Sequence, residues 1–223
     1  MARRVFMALV LCSLLGGCRG RRQASPTVPA EQPRPQAATQ TPEEAEHSVA
    51  VIQNLGGTCA WDPQQPGKPL LAVYLAHTKV SDGDLAILQG AAQLRTLVLN
   101  DTAITDDGLA TLAGLTQLQE VFLGQNKITD KGLGNLKGWN RLQTLDLSQT
   151  AVTDAGLANL EGLTELQQCY LSGTAASDAG LGHLKGLAHL QVLDVGGTRV
   201  TPGGIQDLQK ALPGVTVEGA PGG

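Results

Sequence analysis

One position in this chain changes its chemistry every 24 residues. Counting from Leu70, Leu94, Leu118, Leu142, Leu166 and Leu190, the fifth residue is Tyr74, Val98, Phe122, Asp146, Tyr170 and Asp194. His77, Arg95, Asp101 and Glu120 flank that column, with Gln125, Gln143, Gln167, Gln168 and Gln191 beside them. Rings on alternate units would stand about 10 Å apart. Spaced rings among carboxylates and amides suit non-covalent recognition of another protein. Outward strand positions also favour Tyr and Phe by propensity alone, so both readings stand open.

Covalent and metal chemistry find less support. Of the four cysteines, Cys12 and Cys18 sit in the first twenty residues, Cys59 lies ahead of the periodic region and Cys169 falls inside it. Four strand spacings separate the first and fifth units by ~19 Å. A disulfide needs Cα atoms within roughly 7 Å, so no bridge between Cys59 and Cys169 is expected. His47, His77, His183 and His189 show no metal-type spacing, and there is no G-x-S-x-G elbow or phosphate-cradling loop. Asp82, Asp106, Asp130, Asp154 and Asp178 form a column one unit apart. It reads either as an edge for Ca²⁺ or as five helix starts that use Asp independently. The second is expected, because each site offers few other oxygens. No catalytic residue, cofactor or metal is expected.

The elements that position these residues follow from the same period. Position four is Val73, Leu97, Val121, Leu145, Cys169 and Leu193. Positions four and six are apolar with position five between them, which is strand periodicity. Position twelve is always Ser or Thr, a strong helix N-cap, and position thirteen is Asp until Pro202 replaces it. Leu157, Leu160 and Leu163 then give a short helix one apolar stripe. A strand–turn–helix unit cannot bury its own face, so neighbours must stack. Thr41-Pro42-Glu43-Glu44 reads as a capping box opening a terminal helix that Gly56-Gly57 ends. Trp61 is expected to close that end. With only six aromatics among 223 residues, the core must be Leu-sized throughout.

Leu142-Gln-Thr-Leu145-Asp-Leu147-Ser-Gln-Thr150-Ala-Val152-Thr153-Asp154-Ala-Gly156-Leu157 resembles a leucine-rich repeat, closest to the cysteine-containing subtype. The ninth position departs from that subtype: it is Thr78, Thr102, Asn126, Thr150, Thr174 and Thr198, never Cys. The resemblance implies an α/β solenoid of six repeats over residues 70–213, with parallel strands on a concave face and short helices on the convex face. Residues 43–69 would form its N-terminal cap, and residues 214–223 a last strand and tail. It also implies that position five lies on the concave face. The subtype resembles the repeats of F-box adaptors too, but residues 1–42 leave no room for an F-box. The resemblance is nearly silent on function; the spaced outward rings, and the lack of a site fit for a nucleophile or acid–base pair, lead to the expectation of non-enzymatic protein binding by a monomer.

Residues 1–17 read as a secretory signal: Arg3 and Arg4, then an apolar run too short for a membrane span. Leu15-Gly16-Gly17-Cys18 resembles the lipobox of bacterial lipoproteins, which implies cleavage before Cys18 and a diacylglycerol thioether on its sulfur. Residues 18–42 would then be a Pro/Gln/Ala tether, reaching at most ~75 Å. Residues 19–42 hold four basic side chains against one acidic. Residues 43–223 hold ten against nineteen, which argues against nucleic acid as a partner. The expected protein is held to a membrane in the cell envelope, on the extracytoplasmic side. A scaffolding role and a glycan- or peptidoglycan-binding role are the alternatives.

Overall fold

The computed structural model describes residues 41–65 and 68–219. Helix α1 (Pro42–Asn54) begins as its sequence predicts. The Thr41 hydroxyl accepts from the Glu44 N–H, and the Glu44 carboxylate takes the Thr41 N–H at 2.7 Å. It ends where the Gly56 N–H returns to Gln53 O and the Gly57 N–H to Ile52 O. Gly56 sits at φ 85° there, a conformation that suits a residue without a Cβ.

Strand β1 (Thr58–Trp61) runs antiparallel to β2 (Leu70–Tyr74). Every later strand is parallel to the one before it: β3 (Thr96–Val98), β4 (Glu120–Phe122), β5 (Thr144–Asp146), β6 (Gln168–Tyr170), β7 (Val192–Asp194) and β8 (Thr216–Glu218). The register is one unit per rung, so Leu97 pairs with Val121 and Val121 with Leu145. Position four is fully buried in every unit, Cys169 included. Cys59 and Cys169 are both free thiols.

The other wall is short helices. A 3₁₀ helix (Asp82–Leu88) serves the first unit; α2 (Asp106–Leu112), α3 (Asp130–Leu133), α4 (Asp154–Leu157), α5 (Asp178–Leu184) and α6 (Pro202–Ala211) serve the rest. Between the two walls lies one continuous Leu-rich core, into which Trp139 fits where other units place Leu115 and Leu163.

Trp61 corrects the expectation that it closes the N-terminal end, for it is 40% exposed. The pairing of β1 with β2 slips between Ala60 and Trp61, and α1 covers the end instead, with Ala45, Ser48 and Ile52 buried. The ring stands beside Ala45 and Val49 of α1 at the rim of a small cavity that Glu46 and Lys68 also line.

The Asp column is likewise not a set of independent helix starts. Asp82 accepts from the backbone N–H and the hydroxyl of Thr105, the N-cap of the next unit, at 2.8 and 2.6 Å. The same pair of bonds joins Asp106 to Thr129, Asp130 to Thr153, Asp154 to Ser177 and Asp178 to Thr201. A Cβ on Gly108, Gly132, Gly156, Gly180 or Gly204 would strike the carboxylate of the preceding unit. Each Gly is therefore room for an Asp, and the three residue types form one inter-unit clasp. For Asp154, burial pushes the carboxyl pKa up. The Ser177 hydroxyl and N–H, the Gly180 N–H and the His183 charge outweigh it, leaving the pKa below the ordinary value.

Position nine supplies a second rail. The Thr hydroxyls there donate to the carbonyl three residues back, as Thr150 does to Leu147 at 2.6 Å. Asn126 does more: its amide donates to Leu99, Leu123 and Gly124 carbonyls and its oxygen accepts from Thr102 and Ile104. A buried polar group is tolerable when every bond it can make is made.

Candidate binding surface

The outward face of the sheet brings position five together. Tyr74, Val98, Phe122, Asp146, Tyr170 and Asp194 occupy successive rungs in strict register. Neighbouring rungs are about 4.8 Å apart. Tyr74 is 44% exposed, and the others are half-buried. Glu218 extends the column by one rung beyond Asp194. Sequence reading stopped at the sixth unit, although Glu218 lies one period after Asp194.

The column has two halves. Tyr74, Val98 and Phe122 are apolar and contiguous, and Ala72 and Thr96 accompany them. Asp146, Asp194 and Glu218 make the second half acidic, with Tyr170 between the first two. Tyr170 donates its hydroxyl to Gln168 Oε1 at 3.0 Å.

Asp146 is held in place from two directions. Ser148 N–H donates to Oδ1 at 2.8 Å, and Asn100 Nδ2 donates to Oδ2 at 2.7 Å from two units away. Gly124 lies between them, and its missing side chain leaves the space the bond crosses: a Cβ there would come within 3.0 Å of Asp146 Oδ2. Asn100 turns its NH₂ to the carboxylate and leaves its own Oδ1 buried without a partner in the protein. An unmet buried acceptor costs about 1–3 kcal/mol. A carboxylate can only accept, so the NH₂ rather than the oxygen of Asn100 must face Asp146. Asp194 accepts only locally, from Gly196 N–H at 2.9 Å. Sequence reading missed Asn100 and Gly124, because their link skips a unit.

The remaining candidates fall at the strand edges. His77 and Asp101 follow β2 and β3 in left-handed conformations, with φ of 59° and 52°, and His77 Nδ1 lies 3.0 Å from Asp101 Oδ2. Gln125 and Gln149 repeat that conformation, and Gly173 and Gly197 relieve it later. Glu120 accepts from Thr96 Oγ1 at 3.1 Å. Arg95 stands apart from His77 and Asp101, at the opposite ends of the strands. It lines a groove there with Arg141, Gln93, Gln117 and Gln119.

The Cys169 thiol is pushed up to about 12, by burial first and by the Asp146 charge second. Burial also raises the Cys59 thiol. Among the described residues no cluster of three His, Cys, Asp or Glu could hold a metal ion. Nor is any described helix long and apolar enough to cross a membrane. The expected Cys18 site, signal peptide and tether lie outside the described residues.

Residues 92–152 match the leucine rich repeat family. A leucine-rich-repeat protein of Leptospira interrogans is 21% identical over 67% of this chain and 37% of its own, with a TM-score of 0.52. An internalin of Listeria monocytogenes is 20% identical over 82% of this chain and 57% of its own, at 0.49. Internalin C2 of the same species is 18% identical over 81% and 94%, at 0.43. The chain thus spans well under two thirds of the first two. No curated protein matches it. The family match and the sheet agree: the chain folds as an α/β leucine-rich-repeat solenoid, with parallel strands on one wall and short helices on the other.

Proposed function

We propose that this is a lipid-anchored protein of the bacterial cell envelope whose sheet face binds a protein partner and catalyses nothing. One observation carries the binding reading. At positions four, six and twelve the six units keep to one class, apolar at four and six and hydroxyl at twelve, whereas at position five, on the outward face, they hold Tyr, Val, Phe, Asp, Tyr and Asp. A stacking requirement would act on every unit alike, so the changing side chains of the outward column are free to fit contact with something irregular. Leucine-rich-repeat domains are in general interaction modules, and burial raises both described thiols.

The anchor reading rests on Leu15-Gly16-Gly17-Cys18 and the basic, apolar segment before it. Cleavage before Cys18 and acylation of its sulfur would hold the solenoid on the extracytoplasmic side, at the end of residues 18–42. One acyl chain anchors marginally, so stable attachment requires more than one. Cys18→Ser should abolish detergent-phase partitioning; a variant that still partitions like wild type would refute the anchor.

The binding reading is tested by replacing Tyr74, Phe122 and Tyr170 with Ser together. A partner crosslinked in whole cells to the wild-type chain should be lost while the circular dichroism spectrum is kept. An unchanged partner places recognition on another surface. Crosslinks only between copies of this chain would point to envelope scaffolding.

A further inference from the structure

We infer that the central rungs of the sheet face form a receptor for a cationic side chain, so that the partner presents a Lys or, better, an Arg at Asp146. This deepens the proposed function and rests on it. Phe122, Asp146 and Tyr170 are register neighbours on three successive strands. A short carboxylate thus has a longer aromatic side chain on the rung at either side, each about 4.8 Å away. A cation bonded to the carboxylate would stand within the ~6 Å at which a ring face attracts it. Guanidinium suits this arrangement best, because it is planar, stacks on rings and forks onto a carboxylate.

Charge complementarity selects the same occupant. Neither group bonded to Asp146 neutralises it, since Asn100 and the Ser148 N–H are both uncharged donors. A carboxylate has about four acceptor positions, so these two bonds leave room for a third donor. No Lys or Arg stands at strand positions three, five or seven in any unit, whereas Glu120, Asp146, Asp194 and Glu218 do. The basic residues Arg95 and Arg141 lie at the strand starts, in a groove of their own. Asp146 is also the member of the column fixed from two units away. Among the described residues no Lys or Arg pairs with Asp146, and a cation brought by a partner would meet an acceptor already in place.

The probe is a capped hexapeptide of alternating Gly and Arg with an N-terminal fluorophore, titrated into the full chain and read by anisotropy. Control peptides carry Gln or Glu for Arg. The Arg peptide should bind saturably and weaken as salt rises, with both controls at least about tenfold weaker. Asp146→Asn should weaken it about tenfold. Phe122→Leu and Tyr170→Leu, which keep the carboxylate and its two bonds, should each weaken it about threefold to tenfold. Asp207→Asn, on α6, should change it less than about twofold.

Absence of saturable binding by about 5 mM peptide overturns the receptor, as does a Gln peptide that binds equally well. Equal loss from Asp207→Asn also overturns it, by reducing the effect to bulk charge. If Asp146→Asn proves misfolded by circular dichroism, the two Leu variants decide, and wild-type binding by both rejects the clamp. Failure of the wider reading looks different. Loss of the crosslinked partner in the Tyr74/Phe122/Tyr170 Ser variant, with retention in Asp146→Asn, keeps the sheet face and removes the receptor. Retention in both removes the sheet face itself.

Discussion

The two long sides of this solenoid use repetition in opposite ways. At the helix starts, Asp, Ser or Thr, and Gly return at the same positions from unit to unit, and the structure joins them into one clasp. On the sheet face, position five changes nearly every time. The clasp is a contact between one unit and the next, so each unit must offer the same chemistry to close it. The sheet face closes no side-chain bond that recurs from unit to unit. Within a single chain, comparing units therefore separates residues that hold the stack from residues free to do something else.

The sharpest way to break that contrast is at the clasp, where the largest effects are expected. Asp130→Ala removes both acceptors of Thr153 and should destabilise the chain by about 2–4 kcal/mol in denaturant unfolding. Gly156→Ala should cost a similar ~2–4 kcal/mol, because its new Cβ occupies the place of the same carboxylate. Together they should cost little more than either alone, since both remove one contact. Strictly additive costs would mean that Gly156 serves some purpose other than making room for Asp130.

Acid titration sharpens the same side at a smaller amplitude. The Asp154 carboxyl is held below its ordinary value in the folded chain. At neutral pH it is ionised folded or unfolded, and its bonds to Ser177 contribute in full. As pH falls through the ordinary carboxylate range, near 4, the unfolded chain takes up a proton first and stability drops. Asp154→Asn should therefore lower stability at pH 7 yet flatten the loss between about pH 5 and 3. Parallel acid limbs for the two proteins would show that the Asp154 charge contributes nothing to the clasp.

What the sequence made legible follows from where repetition can be read. Strand and helix positions were legible, because Val73, Leu97 and their successors are all buried and Ser81, Thr105 and their successors are all N-caps. The destination of the Asp carboxylates was not. A residue recurring once per unit has the same period whether it bonds within its unit or to the next, and only coordinates tell these apart. Trp61 had no counterpart in other units to calibrate it, and its exposed ring could not be read from type alone. The Asn100–Asp146 bond crosses a unit whose residue is Gly124, and a missing side chain leaves no mark in a hydrophobic pattern. Position five itself was correctly placed as outward, but its two bonds on Asp146 were not foreseen.

That bond, like those of Thr96 to Glu120 and His77 to Asp101, blurs the contrast and allows a finer test. Asn100 lies on the variable face yet holds another residue. Asn100→Ala should cost no more than about 1 kcal/mol, below the clasp, because the loss of one partly buried charge-assisted bond is offset in part by removing the unmet Asn100 oxygen. A cost as large as that of Asp130→Ala would show that the sheet face carries the stack as well, and the division between the two sides would fail.

The smallest stability effect is expected where the largest functional one is proposed. Tyr74 is 44% exposed, and Thr58 on β1 and Val98 on β3 flank it in the sheet. Replacing it with Ser removes a favourable strand residue but exposes no core, because Val73 and Leu75 beside it point inward and stay buried. The expected cost is within about 0.5 kcal/mol. A greater loss would mean that the ring supports the N-terminal rungs by packing, and its type at that position would then need no partner to explain it. A loss that small, in a variant whose crosslinked partner weakens, would leave the ring with a role in binding and almost none in folding.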